Sequence, residues 1–160
     1  MSLLLAAVQS SPLVTDAQPS GGAIRCTLAL TELSATVQLG DLDDVARDLS
    51  LEGRLPPGEG RLSLTPERGL GGAVAALSEI EVDDKTVDDA WIIRGDGPAL
   101  LLALVPALRP LAMRAPTIDV GEETVRIAFP RPIALVELAS TLHAGLVLWE
   151  RAVAFRQGAA

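Results

Sequence analysis

The sequence predicts an α+β domain: an antiparallel β-sheet with helices packed on one face and a long C-terminal helix. Segments with a period of two crowd the first half of the chain, and the strongest helical periodicity closes the second. Strands and helices do not alternate regularly, as a doubly wound parallel sheet would require. The chain has 160 residues, 49% apolar and 21% charged, enough to bury a sizeable core as one domain.

The elements follow in order. The apolar run Leu3 to Val8 has no basic residue ahead of it and ends at Gln9-Ser10-Ser11-Pro12, so it is not expected to be a secretory signal. Residues 1–22, ending in the pair Gly21-Gly22, are expected to be flexible or loosely packed, with residues 23–157 forming the domain. Ile24, Cys26, Leu28 and Leu30 alternate with polar or small residues, and Leu33, Ala35, Val37 and Leu39 continue the period, predicting one extended strand or a bulged pair. Leu49-Ser50-Leu51 and Leu62-Ser63-Leu64 flank the turn-rich segment Gly53 to Gly60, which predicts a hairpin with a long loop. Gly71 to Ser78 reads as one or two helical turns.

Trp91-Ile92-Ile93, stopped by Gly95-Asp96-Gly97-Pro98, predicts a buried strand followed by a helix that starts at Pro98. That helix runs toward Arg114, and Pro106 and Pro110 each remove a backbone donor, so two segments joined near Pro106 are expected. Thr117 to Val120 and Thr124 to Phe129 predict a second hairpin, after which Pro130 and Pro132 open the last helix. Along that helix Leu135, Leu138, Leu142, Leu146, Trp149 and Val153 fall within a stripe roughly 80° wide, which predicts a largely buried Trp149. Val136, Val147, Leu148 and Phe155 lie on its flanks or far side.

The segment Ile80-Glu81-Val82-Asp83-Asp84, then Val87-Asp88-Asp89-Ala90-Trp91-Ile92-Ile93-Arg94-Gly95, a Leu-rich helix, a hairpin and a closing helix resembles a set of uncharacterised bacterial proteins of unknown function. Those carry a segment of the form I-x-x-G-D-x-x-F-D-x-x-F-x-V before the same elements. The resemblance covers roughly residues 62–156, with Asp83 in place of the Gly and Val87 in place of a Phe. It implies the α+β order and no activity.

Composition removes several function classes. Thirteen basic against 21 acidic residues leave a net charge of −8, the wrong sign for a sequence-independent grip on nucleic acid or anionic lipid. There is no Tyr, and Trp91, Trp149, Phe129 and Phe155 are the only aromatic residues, a poor supply for a stacking pocket. The apolar stretch Ala99 to Met113 is shorter than the roughly 20 residues a membrane span needs, so no membrane insertion is expected. The lone Cys26 forms no internal disulfide and fits a cytoplasmic location.

Candidate chemistry is sparse. Asp83, Asp84 and Asp88, with Asp89 and Asp96, form the most polar constellation and are the candidate ligands for a hard cation; the residues lack EF-hand spacing, and Asp88 equally suits a turn-pinning role. His143, the only imidazole, sits on a helix flank with no second ligand at metal spacing. Cys26 occupies an inward strand position, where it acts as a small hydrophobe. Gly69-Leu70-Gly71-Gly72 lacks the third Gly of a nucleotide-binding turn, and Arg94-Gly95-Asp96, an adhesion tripeptide by letter, reads as a turn. No Gly-x-Ser-x-Gly occurs, and Ser140-Thr141 falls mid-helix, where hydroxyls bond back to the preceding turn.

These absences favour a non-enzymatic, soluble bacterial domain without a cofactor, acting through association with itself or a protein partner. Val147, Leu148 and Phe155 are the expected interface, because apolar residues off the main stripe need a second surface to cover them. The alternative is a metal-binding or metal-dependent hydrolase module using the acidic loop 83–89.

Overall fold

The computed structural model describes residues 3–28, 32–39, 44–67 and 80–158. These residues form an α+β fold in which nine strands make one antiparallel sheet, joined by four α-helices. The chain runs α1 (Leu3–Gln9), β1 (Val14–Ser20), β2 (Ala23–Leu28), β3 (Leu33–Leu39), β4 (Val45–Arg54) and β5 (Leu62–Pro66). It continues through α2 (Lys85–Ala90), β6 (Trp91–Gly95), α3 (Pro98–Leu108), a 3-10 turn (Arg109–Leu111), β7 (Thr117–Val120), β8 (Thr124–Ala128), β9 (Ile133–Ala134) and α4 (Leu135–Arg156).

The strand order is β1-β2-β3-β4-β8-β7-β5-β6. The long β4 pairs with β3 on one side; on its other side it pairs with β8 over Ser50–Arg54 and with β9 at Val45 and Ala46. A kink at Asp48, with φ +52°, separates those two partners. One face of the sheet supplies the core: Ile24, Cys26 and Leu28, then Ala35, Val37, Leu49 and Leu51, then Leu64, Ile93, Ile118 and Ile127 are all buried, while their alternating neighbours are half-buried or exposed.

One sequence expectation narrows to its second alternative, a pair of strands, and three change. The segment 23–39 is two strands, β2 and β3, paired antiparallel from Ile24↔Val37 to Thr27↔Ser34. Residues 1–22 are not loosely packed throughout: α1 buries Leu4 and Val8, whose i, i+4 spacing puts both on one face, and β1 pairs with β2. β1 is polar because it is an edge strand, with Asp16 and Pro19 of the kind that discourage further pairing. β4 and β5 are not a hairpin, since β8 and β7 lie between them. Loop length is a local signal, whereas pairing partners are chosen by the whole sheet.

The third change concerns α3, which passes through Pro106 and ends at Leu108, so the break falls at Pro110 in the 3-10 turn. A proline in the last turn removes a single intrahelical bond, and the burial of Leu104, Val105, Ala107 and Leu108 holds the helix together. Pro98 begins α3 and the hairpin of β7 and β8 closes through Gly121 donating to the Thr124 carbonyl at 2.8 Å, as the residues predict. The helical turns read at Gly71 to Ser78, and the glycine motif at residues 69–72, lie outside the described residues.

Candidate interaction surface

α3 reads Pro-Ala-Leu-Leu-Leu-Ala-Leu-Val-Pro-Ala-Leu, eleven residues without one polar side chain. A helix that is apolar all round belongs in an interior. Its inner side is buried through Leu100, Leu101, Leu104, Val105, Ala107 and Leu108, yet Ala99, Leu102 and Pro106 face outward and Leu102 is 62% exposed. Exposed Ala99, Leu102 and Pro106 with half-buried Ala103 have the i, i+3, i+4, i+7 spacing of a helix-packing face.

α4 lies beside α3 and over the middle of the sheet. Gly145 allows the close approach to β4, since a Cβ there would sit 2.8 Å from Leu51 Cδ2. The buried positions Leu138, Thr141, Leu142, Gly145, Leu146, Leu148 and Ala152 cover a wider arc than the leucine stripe alone, because α4 is packed on two sides. Leu148 is on the α3 side, the flank from which Arg151 Nη1 donates to the Ala103 carbonyl at 3.1 Å.

This corrects the expectation that Leu148 belongs to an interface. Leu148 is fully buried within the chain, and Val147 and Phe155 are half-buried against the core. Periodicity detects the second apolar sector of α4; its cover at Leu148 is α3 of the same molecule. The outward positions are instead Leu102, Met113 at 96% exposure and Val136 at 92%. Met113 and Val136 adjoin the ion pair in which Arg114 Nη2 meets Glu137 Oε2 at 2.6 Å. Trp149 is also only half-buried, its indole N–H donating to the Arg54 carbonyl at 2.8 Å, and the fully buried tryptophan is Trp91, which donates to the Pro116 carbonyl at 2.7 Å.

The acidic loop is built as a structural turn. Asp84 caps α2 by accepting from the Val87 N–H at 3.2 Å, and its other oxygen takes Arg109 Nε at 2.8 Å and Nη2 at 2.7 Å. The hydrogen bond from Arg109, helped by that from Val87, holds the Asp84 carboxyl below its usual range. Asp88 accepts from the Val82 and Asp84 N–H groups at 3.0 and 3.1 Å, around Asp83 at φ +60°. Asp89 pairs with Lys85 at 2.8 Å, and Asp96 accepts from the Arg61 N–H at 2.8 Å, which makes Arg94-Gly95-Asp96 part of a turn. Among the described residues no group of three His, Cys, Asp or Glu side chains is arranged to hold a metal ion.

The remaining candidates stay apart. His143 is exposed on α4, and Ser140 and Thr141 donate back to the Glu137 carbonyl at 2.9 and 2.8 Å. Cys26 is buried, and burial pushes its thiol up to about 11.

Sequence reading missed Arg156. Its Nη1 donates to the carbonyls of Gly58 (2.9 Å) and Glu122 (2.6 Å), and Nη2 to those of Gly60 (2.8 Å) and Gly121 (2.7 Å). The last turn of α4 thereby clasps the β4–β5 loop to the β7–β8 turn. Nothing in local spacing marks this role, because every acceptor is a backbone carbonyl distant in sequence. Beside the clasp, Leu55, Pro56, Pro57, Glu123, Trp149 and Val153 border an open cleft of about 870 Å³.

Compared with protein-family models, curated proteins and solved structures, the chain finds no match.

Proposed function

We propose that this chain is a non-enzymatic association module that works by docking a protein surface, its own or a partner's, onto the outer side of α3 and the adjoining flank of α4. The observation that carries this reading is Leu102: an apolar side chain 62% exposed at the centre of a helix that has no polar residue to present to water. A soluble surface helix normally carries a polar outer face, and apolar residues at i, i+3, i+4, i+7 on that face are the pattern of a helix with a further partner. Half-buried Val147 on the neighbouring flank of α4 extends the apolar area, and Arg109 and Arg151 rim it. A polar rim around an apolar centre is the usual anatomy of a docking surface.

The support is also chemical. Asp84 and Asp88, the best candidates for metal chemistry, are engaged by backbone N–H groups and Arg109, and each of those bonds organises the turn before β6. No described helix is long and apolar enough to cross a membrane.

Site-specific photo-crosslinking tests the reading. Benzoylphenylalanine is placed at Leu102 or Pro106, and at exposed His143 as a control, in cells producing the full chain. The expected result is a discrete protein adduct, identified by mass spectrometry, from the α3 positions alone and lost when Ala99→Glu is added. Adducts absent from α3, or equally abundant from His143, overturn it.

A further inference from the structure

We infer that the partner on the α3 face is a second copy of this chain, docked with the two α3 helices antiparallel about a two-fold axis near Leu102. The inference rests on the association reading and names its occupant. Three features of α3 point to a self-complementary contact.

The first is shape. The stripe alternates one large side chain, Leu102, with small or compact ones, Ala99, Ala103 and Pro106. Antiparallel packing about that axis sets Leu102 of each copy against Ala103 of the other and Ala99 against Pro106, so that small residues meet large ones and the helices approach to the 8–10 Å typical of packed pairs.

The second is charge. Asp96 precedes the N-terminal end of α3 and Arg109 follows its C-terminal end, both exposed. Asp96 uses Oδ1 for the Arg61 N–H, and Arg109 uses Nε and Nη2 for Asp84, so among the described bonds Asp96 Oδ2 and Arg109 Nη1 remain unengaged. Antiparallel docking brings the acidic end of one helix to the basic end of the other, whereas parallel docking brings like ends together. The helix dipoles favour the same orientation.

The third is extent. The stripe from Ala99 to Pro106 is about 10 Å long at 1.5 Å per residue, too short alone for a standard interface. Half-buried Val147 on the α4 flank widens the apolar area. The isologous geometry uses every contact twice.

The experiment is sedimentation velocity with light scattering on the full chain across a concentration series, alongside Leu102→Glu. Wild type should rise to the mass of two chains and Leu102→Glu should stay at one, with unchanged circular dichroism and with the same Tm as wild type at concentrations where wild type is a single chain. Orientation is read with Ala99→Cys and Pro106→Cys proteins and a bis-maleimide spanning about 8 Å, the spacing of packed helix axes. A mixture of the two variants should cross-link and Ala99→Cys alone should not; buried Cys26 does not react. Efficient cross-linking of Ala99→Cys with itself overturns the antiparallel arrangement, and a dimer untouched by Leu102→Glu overturns the site. A monomer at every concentration overturns the inference. It leaves the association reading standing where photo-crosslinks at Leu102 name a different protein, and removes both where there are none. A monomer that instead co-sediments with phosphatidylcholine–phosphatidylglycerol vesicles in a Leu102-dependent way assigns the face to lipid and likewise overturns the inference.

Discussion

The indole of Trp149 occupies the space that a side chain at Gly53 would need: a Cβ there would lie 2.6 Å from Nε1 and 2.7 Å from Cδ1. Gly53 sits inside β4, where glycine is ordinarily unfavourable, and it is tolerated because another group approaches the backbone at that point. The same contact brings the indole N–H to the Arg54 carbonyl.

Gly53→Ala should therefore destabilise the fold by about 1–3 kcal/mol through overpacking, although alanine suits a strand better than glycine does. Urea unfolding measures it. The double variant Gly53→Ala with Trp149→Phe should recover part of the loss, because the smaller ring vacates some of that space; strict additivity would show that the two residues do not interact.

Leu148 and Leu102 give opposite outcomes for the same substitution. Leu148→Glu buries an unpaired carboxylate between α4 and α3, so the domain should lose its cooperative unfolding transition. In the single chain Leu102→Glu places the carboxylate in water, so at concentrations below those at which wild type pairs it should shift stability by less than about 0.5 kcal/mol. Near-ultraviolet circular dichroism and thermal melts separate them.

Arg156→Lys should weaken the clasp although it keeps the charge. A lysine has a single ammonium and cannot hold the carbonyls of two loops as the planar guanidinium does. The expected loss is about 1.5–3 kcal/mol, the scale for hydrogen bonds made by a charged donor. Hydrogen exchange should accelerate at the amides of residues 58–61 and 121–124 and remain unchanged in β2 and β3.

Acid should erase the contribution of Asp84. Its folded pKa is depressed by the hydrogen bond from Arg109, so the stabilisation is complete above the unfolded value of about 3.9 and is lost as pH falls through the folded value. Asp84→Asn keeps a cap oxygen for Val87 but removes the ion pair, so it should be less stable than wild type at neutral pH. The two should converge in urea midpoint only once pH has fallen below the depressed folded value of Asp84. Millimolar Ca²⁺ or Mg²⁺ should raise the Tm of wild type no more than matched ionic strength does; a saturable rise lost in Asp84→Asn would restore the metal reading.

The sequence by itself determined the elements whose signal is local. The hairpin of β7 and β8, the start of α3 at Pro98 and the leucine stripe of α4 follow from alternation, proline placement and helical period, which act over a few residues; the start of α4 does not, since the short β9 stands between Pro132 and Leu135. The same holds for Asp88, whose turn-pinning bonds reach only to Val82 and Asp84.

Only the tertiary structure decided what those surfaces meet. A period of 3.6 residues shows that Leu148 belongs to a second apolar sector of α4. Whether α3 or another molecule covers it depends on where a segment some forty residues earlier comes to lie. β4 carries the right residues for either edge, and its neighbours β3 and β8 were fixed by burial of the whole sheet face. Trp149 shared the buried stripe of its helix, and its half-exposure follows from lying at the rim, over Gly53. Arg156 meets only backbone carbonyls, groups every residue carries, and for that reason no side-chain pattern announces the clasp.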